Sequence, residues 1–134
     1  MMNAYLVEFD PEGDPATYWD DGYFAACQEG ASRGAIQILF AVDAAVPVAF
    51  IIGRIEDLWY RPSLKLGHIE EIYVVPTYRR RGLAKSLLSR LKLQFRDRDV
   101  ATMTALVHCL NPSALLFWQQ IGFEIQAYHL FAPL

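Results

Sequence analysis

Ile69-Glu70-Glu71-Ile72-Tyr73-Val74-Val75-Pro76-Thr77-Tyr78-Arg79-Arg80-Arg81-Gly82-Leu83-Ala84 is the stretch on which the reading turns. The run from His68 to Val75 is β-branched and aromatic, the composition of a strand, and Pro76 stops it. Three arginines and Gly82 follow, and then a helix opens. Leu83, Leu87, Leu91 and Phe95 recur at helical spacing, with Ala84 and Leu88 widening the stripe. A helix start behind a glycine-bearing turn is a ready anion site, because its first N–H groups point outward with the helix dipole behind them. Gly82 lets a bulky ligand approach the main chain, and Ala84 keeps the next contact small. Arg79, Arg80 and Arg81 add positive charge where a pyrophosphate would lie. The ligand implied carries phosphate; a solvated basic turn is the alternative. Neither the glycine-lysine-serine/threonine ending of the Walker loop nor three spaced glycines are present.

Working outward, Val100 to His108 reads as the next strand. Asn111-Pro112 starts a helix, as a cap followed by an N1 proline, and Gly122 closes it. Phe123 to Phe131 reads as a last strand. Toward the amino terminus, Ile36–Val42 and Pro47–Ile55 are strands joined by a turn at Asp43-Ala44-Ala45, and Leu58–Gly67 is a loop carrying Trp59 and Tyr60. Thr17 or Asp20 caps a helix running to about Glu29, with Trp19, Tyr23, Phe24 and Cys27 on one face. Tyr5–Phe9 reads as a first strand. The order is β-α-β-β-β-α-β-α-β, an α/β (α+β) fold with a mixed sheet flanked by helices.

The whole chain, residues 1–134, is expected to form one domain, since no linker or repeat divides it. Hydrophobic residues at 54% against 20% charged exclude global disorder. The longest apolar region, Ile38–Gly53, holds Asp43 and Pro47 and is too short for a membrane span. Met1-Met2-Asn3-Ala4-Tyr5 carries no basic region, so no secretory signal is expected and cytoplasm is the default. Cys27 and Cys109 make no disulfide framework or four-cysteine zinc site, and His68 and His129 with Cys109 form no recognisable metal spacing. The net charge of −3 speaks against a nucleic-acid partner. Its distribution is uneven: residues 1–57 hold ten acidic and two basic side chains, and residues 58–134 ten basic and five acidic. A polyanion suits the second half and a cationic group the first.

The central stretch resembles the GNAT family of N-acetyltransferases. That family carries Arg/Gln-x-x-Gly-x-Gly/Ala after its fourth strand, matched by Arg79-x-x-Gly82-x-Ala84 with Val74-x-Pro76 and Tyr78 in place. A second family segment matches Asn111, Ala114, Phe117 and Gly122-Phe123-Glu124, so the likeness spans about residues 67–131. The resemblance implies a mostly antiparallel sheet with acyl-CoA in the cleft where the fourth and fifth strands part. Acetyl-CoA is the implied cosubstrate. Its pantetheine arm would pair with the backbone of Ile72, Tyr73 and Val74, and its pyrophosphate with the amides from Arg80 to Lys85, through Gly82, Leu83 and Ala84. Asn111 would contact the coenzyme from the other side.

The reaction implied is direct acyl transfer to an amine. A free alkylamine has a pKa of about 10, arrives protonated and needs a base, while the oxyanion needs a donor such as an N–H of Ile72–Val74. Glu70 and Glu71 are the carboxylates nearest in sequence, and strand alternation puts them on opposite faces. Aminoglycoside 6′-acetyltransferases, a branch of the family, show a similar Ile-Glu-x-x-Tyr-Val run whose glutamate matches Glu70. The family often has a tyrosine general acid where this chain has Trp118; Tyr128 or water is the substitute, and a thiol of pKa about 8.5 also leaves well as the anion. Three readings follow: an N-acyltransferase acting on a small or protein amine, cationic by the charge of the first half; a coenzyme A-binding module with little turnover; and a nucleic-acid binder, which the charge disfavours. No metal and no membrane partner is expected, and a homodimer is left open.

Overall fold

Val48-Ala49-Phe50-Ile51-Ile52 is apolar at five successive positions, which marks a strand covered on both faces. The computed structural model, which describes Met1, Tyr5, Glu8, residues 20–130, Ala132 and Pro133, places this run at the centre of the sheet. It lies in β2 (Val46–Leu58), antiparallel to β1 (Ile36–Asp43) and to β3 (Arg61–Val74). β4 (Val100–Ala105) runs parallel to β3, giving the order β1-β2-β3-β4. Around the sheet lie α1 (Asp21–Ser32), α2 (Leu83–Arg96) and α3 (Pro112–Gln120), with a short 3-10 turn at Pro76–Tyr78.

Alternation along β2 feeds two cores. Ala49 and Ile51 pack with Ile69 and with Leu87, Leu88, Leu91 and Phe95, the predicted stripe of α2. Phe50 and Ile52 point the other way, to Tyr73, Tyr5, Ile36 and Ile38. Phe95 is 1% exposed because β2 and β3 give it room. A Cβ on Gly53 would stand 2.7 Å from its ring and 2.8 Å from Leu91, and one on Gly67 would overlap the same ring. Only glycine lets α2 sit this close to the sheet.

Four sequence expectations are corrected. Tyr5 and Glu8 are helical where a first strand was expected, with Tyr5 N–H bonded to Met1 O at 3.0 Å; Leu6, Val7 and Phe9 lie outside the described residues. Leu58–Gly67 is no loop, since β2 and β3 pair from Leu58–Arg61 onward and enclose only Trp59-Tyr60. The exposed side chains at the start of β3 hide the alternation that would have revealed it. β4 stops at Ala105 rather than His108, and residues 123–130 are without regular structure. Strand-like composition makes a strand only beside a ladder partner, and residues 123–130 pair with none among the described residues. Asp20 caps α1 as expected, its Oδ1 accepting from Tyr23 N–H at 2.7 Å, and Trp19 lies outside the described residues.

Candidate active site

Glu70 sits at an irregularity of the sheet. β2 and β3 pair Ile52 with Glu71 but Gly53 with Ile69, leaving Glu70 as one extra residue. Such a β-bulge interrupts the alternation of side chains. Ile69 and Ile72 therefore both pack with the α2 core, and the two glutamates between them share the opposite face. Glu71 accepts a hydrogen bond from the Tyr5 hydroxyl, and Glu70 Oε1 accepts from Arg54 Nε at 2.5 Å. The expectation that strand alternation sets the glutamates on opposite faces is thereby corrected. Half-buried, Glu71 has its pKa raised by burial and by the charge of Glu70, against the lowering effect of the Tyr5 bond. Tyr23 of α1 is raised as well, first by burial, then by Cys27 and by Glu71 and Glu70. Tyr23 of α1 is thus within reach of the charge of both carboxylates.

The same bulge marks the place where the strands part. β3 and β4 are paired from Lys65–Val100 to Ile69–Ala105 and no further, while β3 continues to Val74. Val75 N–H donates to Val48 O at 2.9 Å. By the alternation of an antiparallel ladder, Tyr73 then turns its peptide groups to β2, and Ile72 and Val74 turn theirs to the open edge. Tyr73 itself is buried, its hydroxyl donating to Glu8 at 3.1 Å. A cleft of about 370 Å³ opens at the parting, lined by Arg54, His68, Ile69, Glu70, Thr104, Ala105, Leu106 and His129.

Beyond β3 the basic turn is strongly shaped. Arg79 doubles back: its Nε donates to Val74 O at 2.9 Å, and its Nη2 donates to both carboxylate oxygens of Glu8 at 2.7 and 2.8 Å. Its charge is thus engaged within the protein, and Arg80, Arg81 and Lys85 carry the remaining charge of the turn. Arg80 and Gly82 adopt left-handed φ values of 62° and 80°. The first backbone bond of α2 is Ser86 N–H to Gly82 O, so the N–H groups of Leu83, Ala84 and Lys85 precede the ladder, and no side chain caps them. A Cβ on Gly82 would meet no atom of the described residues within 4 Å. Open space over outward amides beside cationic side chains fits a diphosphate. A second hollow of about 260 Å³, lined by Arg33, Asp57, Lys65 and Arg98 among others, lies where β3 and β4 begin to pair, away from this chemistry.

Residues 1–123 match the Acetyltransferase (GNAT) family. The chain belongs to the GNAT acetyltransferase family. As a GNAT acetyltransferase it is an N-acetyltransferase with acetyl-CoA as cosubstrate. No curated protein sequence matches it. Among solved structures, the aminoglycoside acetyltransferase meta-AAC0020 from an uncultured soil metagenomic sample, in complex with sisomicin, aligns with a TM-score of 0.79 at 15% identity, covering 99% of this chain and 85% of that one. The aminoglycoside acetyltransferase AAC(6')-Iy, in complex with the bisubstrate analog CoA-S-monomethyl-acetylneamine, aligns at 0.76 with 21% identity over 95% and 84%. Glucosamine-6-phosphate N-acetyltransferase from Arabidopsis thaliana aligns at 0.68 with 17% identity over 84% and 75%. These likenesses concern the fold.

Other anticipated residues of this GNAT acetyltransferase take structural places. Asn111 caps α3, its Oδ1 accepting from Ala114 N–H at 3.1 Å and from Ser113 Oγ at 2.9 Å, which leaves its NH₂ to be offered elsewhere. Trp118 is a core residue, 5% exposed, with its ring 4.8 Å from Phe123 and 5.1 Å from Phe117. Tyr128 is exposed, as are His108 and Cys109. No helix among the described residues is long and apolar enough to cross a membrane. Sequence reasoning missed Arg54, Glu56 and Thr104 and considered His68 only as a metal ligand. The signal was present: Arg54-x-Glu56 and His68-x-Glu70 alternate on strands that pair Arg54 with His68.

Proposed function

We propose that residues 1–134 act as one acetyltransferase domain that moves acetyl from acetyl-CoA to a primary amine by direct attack in a ternary complex. One observation carries the proposal: among the described residues the edge of β3 facing β4 is unpaired beyond Ile69, and the chain runs on from it to an uncapped helix start. An added strand of pantetheine would use the outward peptide groups of Ile72 and Val74, with Tyr73 as the packed support behind them. The amides from Arg80 to Lys85 would hold the pyrophosphate, Arg79 would brace the turn against β3 and Glu8, and the Asn111 amide would approach from α3.

Glu70 lines the cleft and would take the proton of the incoming ammonium, directly or through water, with Glu71 beside it on the same face. An outward N–H of Ile72 or Val74 would steady the oxyanion. With Trp118 in the core, the sulfur departs as thiolate, which its acidity allows. Two adjacent carboxylates on one face, together with the acidic balance of residues 1–57, favour a cationic acceptor. Sisomicin, bound by one structural neighbour, is of that kind.

An amine panel incubated with acetyl-CoA and read as free-thiol release tests this. Polyamines, aminoglycosides or lysine side chains should react fastest, with a KM that rises with salt as charges are screened over ~8 Å at physiological ionic strength. Anionic amino acids outperforming every polycation, with KM indifferent to salt, would sink the cationic assignment. Tight coenzyme binding without thiol release from any amine would favour a coenzyme A-binding module instead.

A further inference from the structure

Three strands each place one polar side chain in a continuous line, of which Thr104 and His68 line the cleft and Glu56 stands beyond His68. Thr104 Oγ1 on β4 lies 2.7 Å from His68 Nδ1 on β3, and His68 Nε2 lies 2.8 Å from Glu56 Oε2 on β2. Thr104 is exposed and lines the cleft, while the His68 side chain sits behind it at 23% exposure. Arg54 links the line to Glu70, donating from Nη1 to Glu56 at 3.2 Å and from Nε to Glu70. These bonds hold Glu56 ionised, its pKa lowered by Arg54 first and then by His68.

The direction of the proton follows from this chemistry. An ionised carboxylate only accepts, so a neutral His68 carries its proton on Nε2, toward Glu56. Nδ1 is then a lone pair, and the Thr104 hydroxyl donates to it. A hydroxyl that donates to an imidazole itself oriented by a carboxylate can pass its own proton to the ring, and it is then able to accept one from a cationic group that meets it. Among the described residues, Glu56 from β2 and Thr104 from β4 bond His68, and Arg54 from β2, Glu70 from β3 and His129 from the carboxy-terminal segment line the cleft with it.

We infer that Thr104, His68 and Glu56 form a proton relay that takes the second proton of the acceptor amine, an inference that rests on the transfer reaction proposed above. Turning an ammonium into an amide removes two N–H protons. The first must leave before attack, because the ammonium has no lone pair, and Glu70 takes it. The second leaves once the C–N bond has formed and the nitrogen is positive. It passes to Thr104 Oγ1 as the threonine's own proton passes to His68 Nδ1. The C–S bond breaks, its electron pair departs with sulfur, and water protonates the thiolate. His68 becomes an imidazolium facing Glu56, and it and Glu70 then return their protons to solvent.

The experiment measures steady-state kinetics on the best amine for wild type, Thr104→Val, His68→Gln, the double variant and Thr104→Ser. The relay predicts that kcat falls about 10²-fold in each single removal with the KM for acetyl-CoA near wild type, and no further in the double, as for groups acting as a unit. Thr104→Ser should recover most of the rate, and ¹⁵N resonances of the imidazole should report the Nε2–H tautomer in neutral His68. Should His68→Gln fail to fold, the exposed Thr104 pair still decides. Wild-type turnover that Thr104→Val leaves unchanged, or losses that add in the double variant, would overturn the relay alone. A wild type silent with every amine would overturn the relay and the transfer reaction together.

Discussion

Replacing Gly82 by alanine and by glutamate separates the backbone cost of the turn from its use by a ligand. Gly82 has φ 80° and ψ 4°, the left-handed region, and caps α2. An L side chain there costs about 1–2 kcal/mol. No atom of the described residues lies within 4 Å of the added Cβ, so packing against them adds nothing to that cost. Both variants should therefore lose the same ~1–2 kcal/mol and melt about 3–10 °C lower without ligand. Their affinities should diverge. A carboxylate roughly 5 Å from one phosphate charge is repelled by about 3 kcal/mol at an effective dielectric constant of ~20, a factor of roughly 10² in Kd. Calorimetry with acetyl-CoA should accordingly find Gly82→Ala weakened modestly and Gly82→Glu by at least that factor. Thermal unfolding should show the ligand-induced rise in Tm for wild type and lose it for Gly82→Glu. Equal binding by wild type and Gly82→Glu would refute the placement of the diphosphate at this turn.

Other expectations follow from the bulge and the two cores. Glu70→Gln should lower kcat by roughly 10²-fold with acetyl-CoA affinity near wild type, and Glu71→Gln should lower it less; the reverse order in steady-state kinetics would move the base to Glu71. Glu71 is raised in the folded state, so the stability linked to its protonation is complete below its unfolded pKa and lost as pH rises through the folded one. Glu71→Gln should therefore raise Tm at neutral pH, and melting curves should show the gain vanish as the buffer falls below the ordinary carboxylate range. Gly67→Ala should destabilise by about 1–3 kcal/mol, because the methyl must displace the Phe95 ring that α2 and the sheet hold fixed; chemical denaturation would show it, and an unchanged midpoint would disprove the tight packing.

The parts of the fold legible in the sequence are those where one physical signal dominates. The stripe Leu83-Leu87-Leu91-Phe95 gave α2, and Asn111-Pro112 gave the start of α3. Gly82 was legible as the break before α2 open to a ligand, while the left-handed turn it shares with Arg80 was not. What escaped depends on partners far along the chain. Whether Phe123–Phe131 becomes a strand is decided by a neighbour to pair with, and the start of β3 is a strand although its side chains face solvent. The bulge at Glu70 leaves no mark in a single sequence, since it is one residue too many relative to β2. It was nonetheless what set both glutamates on one face, and only the register could reveal it. Arg79 illustrates the same limit: its motif position was plain, but the partner that absorbs its charge, Glu8, stands 71 residues away.

Amide hydrogen exchange resolved to single residues, with and without acetyl-CoA, tests most directly whether the parted strands and the turn seat the coenzyme. The N–H groups of Ile72 and Val74 on the open edge, and those of Leu83, Ala84 and Lys85 at the helix start, should slow markedly on binding. Tyr73, already turned to β2, should change little. Protection confined to the hollow of Arg33, Lys65 and Arg98, with the β3 edge and the turn unchanged, would contradict the account.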